Sequence, residues 1–208
     1  MSRLSPDVRA RAVDTLSVAF EGDPGMANAF PEADRRRRRL AALFAGAVRA
    51  GERYGGIEVL EGGAGVAVWL GGERFPLVAR EIVRSGMVWA PLRVGIRRMV
   101  AFQRAERPAE AAVAQAMPEG AAYLWMLGVH PDAAGTGLGR RTLDAALGAM
   151  RAAGHTACVL KTENERNVGL YRHLGFDLVG EHDGALRSWI FRRPLAATDS
   201  PTSHSPSP

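Results

Sequence analysis

Apolar and polar residues along this chain follow two periods, and the switches between them mark out the elements. Val13, Leu16 and Phe20 recur at the spacing of one helix face. Ser5-Pro6 suits the start of that helix, a side-chain cap followed by a residue whose missing N–H is not needed there. Gly22-Asp23-Pro24-Gly25 stops it. A second helix is predicted from about Ala33 to Ala50, closed by Gly51. Ile57–Glu61 and Gly65–Leu70 read as two strands turning over Gly62-Gly63. From Pro76 to about Ala116 the pattern is helical, broken near Trp89-Ala90-Pro91. No turn-rich linker flanks this stretch, so it reads as an insertion at about 76–116 within one domain spanning 1–194.

Ala122–Val129 is apolar on both faces, as a central strand of a covered sheet would be. After a glycine-rich turn, a helix is predicted from Leu138 to Ala153. Leu143, Ala146, Leu147 and Met150 form its inner stripe, with Arg140, Arg141, Asp144 and Arg151 outside, and Gly154 ends it. Ala157–Lys161 is the next strand and Asn164–Leu174 the next helix, closed by Gly175. Phe176–Glu181 and Leu186–Arg192 form a last hairpin over His182-Asp183-Gly184. The Ser-, Thr- and Pro-rich tail, 195–208, is expected to be disordered. Strand, helix, strand from Ala122 onward implies a right-handed parallel βαβ unit inside an α/β (α+β) fold.

Composition narrows the classes. With 208 residues, 47% hydrophobic and 24% charged, the chain has the makeup of a globular domain. No apolar run reaches the ~20 residues of a membrane span, and the N-terminus lacks the apolar core of a signal peptide. The expected compartment is therefore the cytoplasm, with no membrane partner. Cys158 is the only cysteine, which excludes an internal disulfide and a multi-cysteine metal site. The formal charge of +5 raises nucleic acid as a partner. The densest basic run, Arg35 to Arg39, argues against it. At ~100° per residue the five side chains spread around the whole helix, and no aromatics interleave with them. Lys161 is the sole lysine.

Candidate chemistry concentrates in Val129-His130-Pro131-Asp132-Ala133-Ala134-Gly135-Thr136-Gly137-Leu138-Gly139-Arg140. Glycines alternate where a central strand hands over to a helix. They allow tight backbone and close approach, and the first helical turn presents unpaired N–H groups. Such a turn cradles a pyrophosphate. It is not a dinucleotide fingerprint, which would need glycine where Arg140 stands, nor a P-loop, because the segment has no lysine. On spacing alone, a turn that only packs helix on sheet fits equally well.

Two motifs together resemble the GNAT superfamily of N-acetyltransferases. There a central strand ending in Val-x-Pro leads into Arg/Gln-x-x-Gly-x-Gly/Ala; this chain has Val129-His130-Pro131 and then Ala134 to Gly139. A later helix in that family carries Asn, then Tyr seven residues on, then Gly-Phe; this chain has Asn164, Tyr171 and Gly175-Phe176. The layout, with its helical insertion, looks most like the puromycin N-acetyltransferase group. The resemblance implies a mixed, mostly antiparallel sheet with a central parallel βαβ crossover flanked by helices. It also implies acetyl-CoA as co-substrate and no metal. The turn Ala134, Gly135, Thr136, Gly137, Leu138, Gly139 and Arg140 would bind the pyrophosphate. Leu127 and Val129 would hold the pantetheine arm where the strand bulges near Leu127-Gly128-Val129, and Asn164 or Asn167 would bond it further along. Ala134 departs from the family's Arg or Gln, and the family's first strand is hard to find here.

Aminolysis of a thioester forms an oxyanion and expels a thiolate, and backbone N–H groups on the central strand can stabilise the former. By the resemblance, Tyr171 is the general acid. A phenol of pKa ~10 can protonate a thiolate whose acid has pKa ~8.5. A tyrosine packing beside Leu170 and Leu174 is the plainer alternative, and helix capping is the plainer role for Asn164. Glu32, Glu73, Glu163 and His130 are candidate bases, with none singled out. Trp69, Trp89, Tyr123 and Trp125 are candidates to line a site for a flat or apolar amine, while Cys158 reads as an inert core residue. The expected partner is a small-molecule amine, with a protein amine or a non-catalytic acyl-CoA-binding module as alternatives. A homodimer stays open.

Overall fold

The side chain of Ser5 caps the first helix as its position promises, accepting from the Val8 amide at 3.3 Å, and α1 runs Pro6–Ala19 in the computed structural model. The structure describes residues 3–184 and 186–195; the tail expected to be disordered lies outside them, Leu195 apart. The turn after α1 also starts a helix. Asp23 accepts from the amides of Gly25 and Met26 and so caps α2 (Pro24–Ala29). Next, α3 (Ala33–Tyr54) runs past Gly51, the residue expected to stop it. A Cβ at Gly51 would lie 2.6 Å from Val68 Cγ1 and 3.0 Å from the Gly56 carbonyl oxygen. Glycine there lets the helix approach the sheet and does not end it.

Strands β1 (Gly55–Leu60) and β2 (Gly65–Gly71) pair antiparallel, with Ile57 opposite Val68. Helices α4 (Ala79–Arg84), α5 (Ala90–Val94) and α6 (Ile96–Ala116) follow, with Pro91 in the first turn of α5. Then come β3 (Ala122–Val129), α7 (Leu138–Ala152), β4 (Ala157–Thr162), α8 (Arg166–His173), β5 (Asp177–Asp183) and β6 (Arg187–Pro194). The strands form one sheet of order β1-β2-β3-β4-β6-β5. Only β3 and β4 pair in parallel; the other neighbours are antiparallel. Because β2 and β3 are neighbours, α4 to α6 form an excursion that leaves one sheet and returns to it. Among the described residues no strand precedes β1, and α1 to α3 make up the chain up to it.

Apolar stripes decide which helix covers which face. Leu143, Ala146, Leu147 and Met150 of α7 pack with Ala67, Leu124, Leu160 and Phe191. Full burial of each Leu or Met there contributes about 1.5–3 kcal/mol. On the opposite face, Leu16 of α1 and Phe44 of α3 cover Val66, Val68 and Met126. Further along that face, Val113 of α6 covers Tyr123, Val159 and Ile190.

Two irregularities open the sheet at its centre. The parallel ladder holds only from Ala122–Leu124 to Cys158–Leu160, and beyond Leu124 strand β3 pairs with β2 alone. On the β2 side, Val68 faces Met126 while Trp69 faces Leu124, which leaves Trp125 as the extra, bulged residue. The bulge was expected near Leu127-Gly128-Val129 and comes earlier. Gly128 serves packing instead: a Cβ there would lie 3.0 Å from Leu16 Cδ2 and 3.2 Å from Ala19 Cβ.

Candidate active site

At the end of β3 the His130 amide donates to the Ala64 carbonyl at 2.7 Å, which fixes where the glycine turn begins. Gly135 and Gly137 have φ of 77° and 75°, a region that disfavours any residue with a side chain. Gly137 is the N-cap of α7, and the first bond of that helix runs from the Arg141 amide to the Gly137 carbonyl at 3.1 Å. Among the described residues no acceptor is found for the amides from Gly135 to Arg140. These amides lie together at the positive end of a 15-residue helix, on a largely exposed turn. Thr136 Oγ1 donates back to the Ala133 carbonyl at 2.8 Å. The Arg141 guanidinium braces the turn, donating to the Thr136 carbonyl at 3.0 Å and pairing with Glu61. Arg140 turns away instead and pairs with Asp144 at 2.9 Å.

Where β3 and β4 part, a cavity of ≈ 1020 Å³ opens between α1, α3 and α6 and reaches α8. Leu127, Asn164, Asn167 and Tyr171 line it. Tyr171 packs its ring against Phe176 and Phe191, with centroids 5.8 and 5.6 Å apart. Its hydroxyl has no hydrogen-bond partner among the described residues. Burial, and then the nearby Cys158 and Asp23, push its pKa up to about 12, so it holds its proton at neutral pH. The side-chain oxygen of Asn164 accepts from the Arg166 amide at 3.2 Å, the turn-forming role that competes with ligand binding. Asn167 donates from Nδ2 to Thr162 Oγ1 at 3.3 Å.

The polar wall of the cavity is ionic. Lys161, on β4, places Nζ 2.6 Å from both Glu106 of α6 and Glu163. The ammonium is only 10% exposed and Glu163 11%, against 25% for Glu106. Burial pulls the lysine pKa down, but Tyr123, Glu163 and Glu106 outweigh it and raise it overall. Burial raises Glu106 and, one helical turn on, Glu110. It raises Asp23 too, where the amides of Met26 and Gly25 oppose it.

The structure sorts the sequence-derived candidates. Leu127, Asn164 and Tyr171 meet in the cavity, while Ala134 to Arg140 form the exposed turn beyond the end of β3. Val129 is half-buried between them. Of the candidate bases only Glu163 lines the cavity. Glu32 is tied to Arg39 and Arg98, Glu73 lies out beside Arg74, and His130 accepts from the Asp132 amide. Of the aromatic candidates, Tyr123 and Trp125 line the cavity. Trp69 is buried under α7, and Trp89 is 60% exposed. Asp23, Glu106 and Glu110 were not singled out. The available signal was the α6 stripe Met99, Phe102, Glu106, Ala109 and Val113, whose helical spacing runs a glutamate through an apolar face. The basic run folds back on its own chain: Arg36 donates to the Glu21 and Phe30 carbonyls, and Arg37 and Arg39 pair with Asp14 and Glu32. Among the described residues no helix is long and apolar enough to cross a membrane.

Comparison with known proteins agrees with this arrangement. The profile of the acetyltransferase (GNAT) family matches residues 78–176, from before α4 to the Gly-Phe after α8. The crystal structure of an acetyltransferase is 20% identical, covers 94% of this chain and 98% of its own, and superposes with a TM-score of 0.54. A Corynebacterium glutamicum ATCC 13032 structure, described as histone acetyltransferase HPA2 and related acetyltransferase, is 22% identical. It covers 96% of this chain and 97% of its own, with a TM-score of 0.56. At such identities the likeness of the structures shows the fold alone. The matched segment covers just under half of the chain, and the architecture around it is a GNAT-type fold.

Proposed function

We propose that the protein is an acetyl-CoA-dependent N-acetyltransferase that passes the acetyl group directly from the thioester to an amine of a small molecule. One arrangement carries this reading: the β3–β4 ladder stops at Leu124, a cavity holding the unpartnered Tyr171 hydroxyl opens there, and β3 runs on to a turn of acceptorless amides. The turn suits a pyrophosphate, because the amides from Gly135 to Arg140 converge with no acceptor of their own. Acetyl-CoA supplies an acetyl group activated as a thioester. Within the protein, unpaired β3 amides past the bulge orient the thioester, and Leu127 packs beside it. As the amine nitrogen bonds to the acetyl carbon and the carbon–sulfur bond breaks, Tyr171 gives its proton to the departing sulfur. The proton shed by the amine goes to a cavity carboxylate, and Asp23, which lines the same cavity as Tyr171, is the one we assign to it. The excursion α4 to α6 roofs the cavity, which favours a small acceptor over a protein chain and accords with the layout of the puromycin N-acetyltransferase group.

Thiol release from acetyl-CoA across an amine panel tests the reading, with Tyr171→Phe as the diagnostic variant. Turnover should fall by ~10²-fold or more, and acetyl-CoA affinity should barely change. Near-wild-type turnover in the variant would leave Tyr171 as a packing residue. Acetyl-CoA binding without release on any amine, peptides included, would favour a non-catalytic acyl-CoA-binding module.

A further inference from the structure

The cavity is lined by the carboxylates of Asp23, Glu106, Glu110 and Glu163, and they are not equivalent. Glu106 and Glu163 share Lys161, and Asp23 accepts from two backbone amides. Glu110 alone has neither a hydrogen bond nor an ion pair among the described residues, although it is half-buried and faces the cavity. Arg107, the other cation on the wall, stays exposed and acts on Glu110 only through space.

A second unpartnered group faces the same place. Tyr123 is only 4% exposed and its ring packs on Phe75 with centroids 4.1 Å apart, yet it lines the cavity and its hydroxyl has no partner among the described residues. The Tyr123 hydroxyl oxygen is not sealed inside the protein, so a donor in the cavity can reach it as it can the half-buried carboxylate of Glu110. The two groups belong together. Helix α6 lies against β4, β5 and β6, with Met99 in one apolar cluster with Met126 and Val113 in another with Tyr123, so Glu110, next to Val113 on the helix, sits at the Tyr123 end. Burial raises the Tyr123 pKa, and the charges that act on its phenol are those of Lys161, Glu106 and then Glu110. From the splayed part of β3 near Met126 back to Tyr123 is roughly 10 Å at a strand's rise per residue. The wall between includes Phe102 and Trp125, both apolar.

We propose that Tyr123 and Glu110 form a subsite for a second, non-reacting ammonium of the acceptor, so that the acceptor is a diamine-type molecule with an apolar spacer. An ammonium donates several hydrogen bonds at once, which satisfies the phenol oxygen and the carboxylate together. The excess of carboxylates over cations on the wall is filled by a ligand with more than one positive charge. This inference rests on the acetyl-transfer reading for the other end of the molecule.

The experiment compares hexamethylene-, octamethylene- and decamethylenediamine with the monoalkylamines of equal length, in wild type and in Glu110→Gln and Tyr123→Phe. Wild type should prefer the best diamine over its monoamine by ~10-fold or more in kcat/KM, chiefly through KM. Glu110→Gln should lower that preference by ~10-fold or more, and Tyr123→Phe by a smaller factor. Calorimetric titration of the same diamines into the CoA-bound protein reads the subsite without turnover. There the wild type should bind the diamine and Glu110→Gln should bind it at least ~10-fold more weakly. A wild type that binds no diamine, or an unchanged preference in a folded Glu110→Gln protein, overturns the subsite. Monoamine turnover in that case leaves the acetyl-transfer reading standing. Failure of CoA to bind removes the acetyl-transfer reading instead, and diamine titration into the CoA-free protein then decides the subsite by itself.

Discussion

Replacing Lys161 by Met removes the one ammonium that holds Glu106 and Glu163 together, at 2.6 Å from each. The methionine fills the space of the lysine stem, so little packing is lost and the change is mainly electrostatic. Breaking a buried ion pair by deleting one partner typically costs 3–5 kcal/mol. Glu106 is 25% exposed and can regain some water, which brings the expectation down to about 2–4 kcal/mol. For a chain of this size that is a fall of roughly 5–15 °C in Tm, measured by calorimetry. Adding Glu106→Gln and Glu163→Gln to Lys161→Met removes the stranded charges and should recover at least half of the loss. The deficit should also depend on pH. Burial already holds the folded Glu106 pKa above its ordinary value, and loss of the lysine raises it further. Between the unfolded and folded pKa values the native state binds the extra proton. Its stability is therefore fully present below the ordinary carboxylate pKa and is lost as pH rises through the folded value. The Lys161→Met deficit should then shrink as pH falls from neutrality toward 5, an approximate range set by the ordinary carboxylate pKa. A loss under about 1 kcal/mol, or a triple variant no more stable than Lys161→Met alone, would show that the triad is too well hydrated for this reasoning.

Three further outcomes follow from the same geometry. Gly139→Val lies in the first turn of α7 without a positive φ, and its Cβ would meet only Val129 Cγ2 at 3.4 Å; the fold should persist. Side chains there tilt toward the helix N-terminus, so the valine methyls should cover the free amides. CoA at 100 times its Kd, which should stabilise the wild type by about 2.7 kcal/mol, should leave this variant's Tm unmoved. Cys158 is fully buried and burial pushes its thiol up to about 12, so it should ignore an aromatic disulfide reagent at pH ~8 until the chain unfolds. A fast reaction in the folded protein would contradict its burial. Tyr171 has a folded pKa of about 12, above its ordinary value, so its contribution to stability is present below pH ~10 and is lost as pH rises through the folded value. Alkaline loss of Tm should be shallower in Tyr171→Phe than in wild type, and equal slopes would place the phenol in water.

What the sequence disclosed and what it hid have one physical basis. Strand β3, the glycine turn and α7 were legible because each depends on local rules: an apolar run, positive φ at Gly135 and Gly137, and an apolar stripe at helical spacing. Features that depend on what lies across the fold were not. Gly51 has the look of a helix stop, but the sheet lies so close that α3 keeps a glycine and continues to Tyr54. Trp69, Trp89 and Trp125 are alike in sequence, yet one is buried under α7, one faces water and one lines the cavity. Glu106 and Glu110 are the two glutamates of an arginine-rich helix, and nothing local separates a solvated carboxylate from one turned toward Lys161 or Tyr123.

The same contrast explains how, in the proposed reaction, one sheet would serve two ligands. Pairing between β3 and β4 ends at Leu124 and Leu160, and each strand then turns a different chemistry toward the gap. Strand β3 runs on into a turn of free amides and a helix N-terminus, which attract anions. Strand β4 ends in Lys161 and Thr162 and is followed by Glu163, which with Glu106, Glu110 and Asp23 makes a wall richer in carboxylates than in cations. Were the ladder to continue to Val129, the β3 amides would be bonded to β4 and the cavity closed. In the proposed reaction, the Trp125 bulge and the short parallel ladder are therefore what would allow an anionic thioester carrier and a cationic amine to meet between two strands that are hydrogen-bonded neighbours three residues earlier.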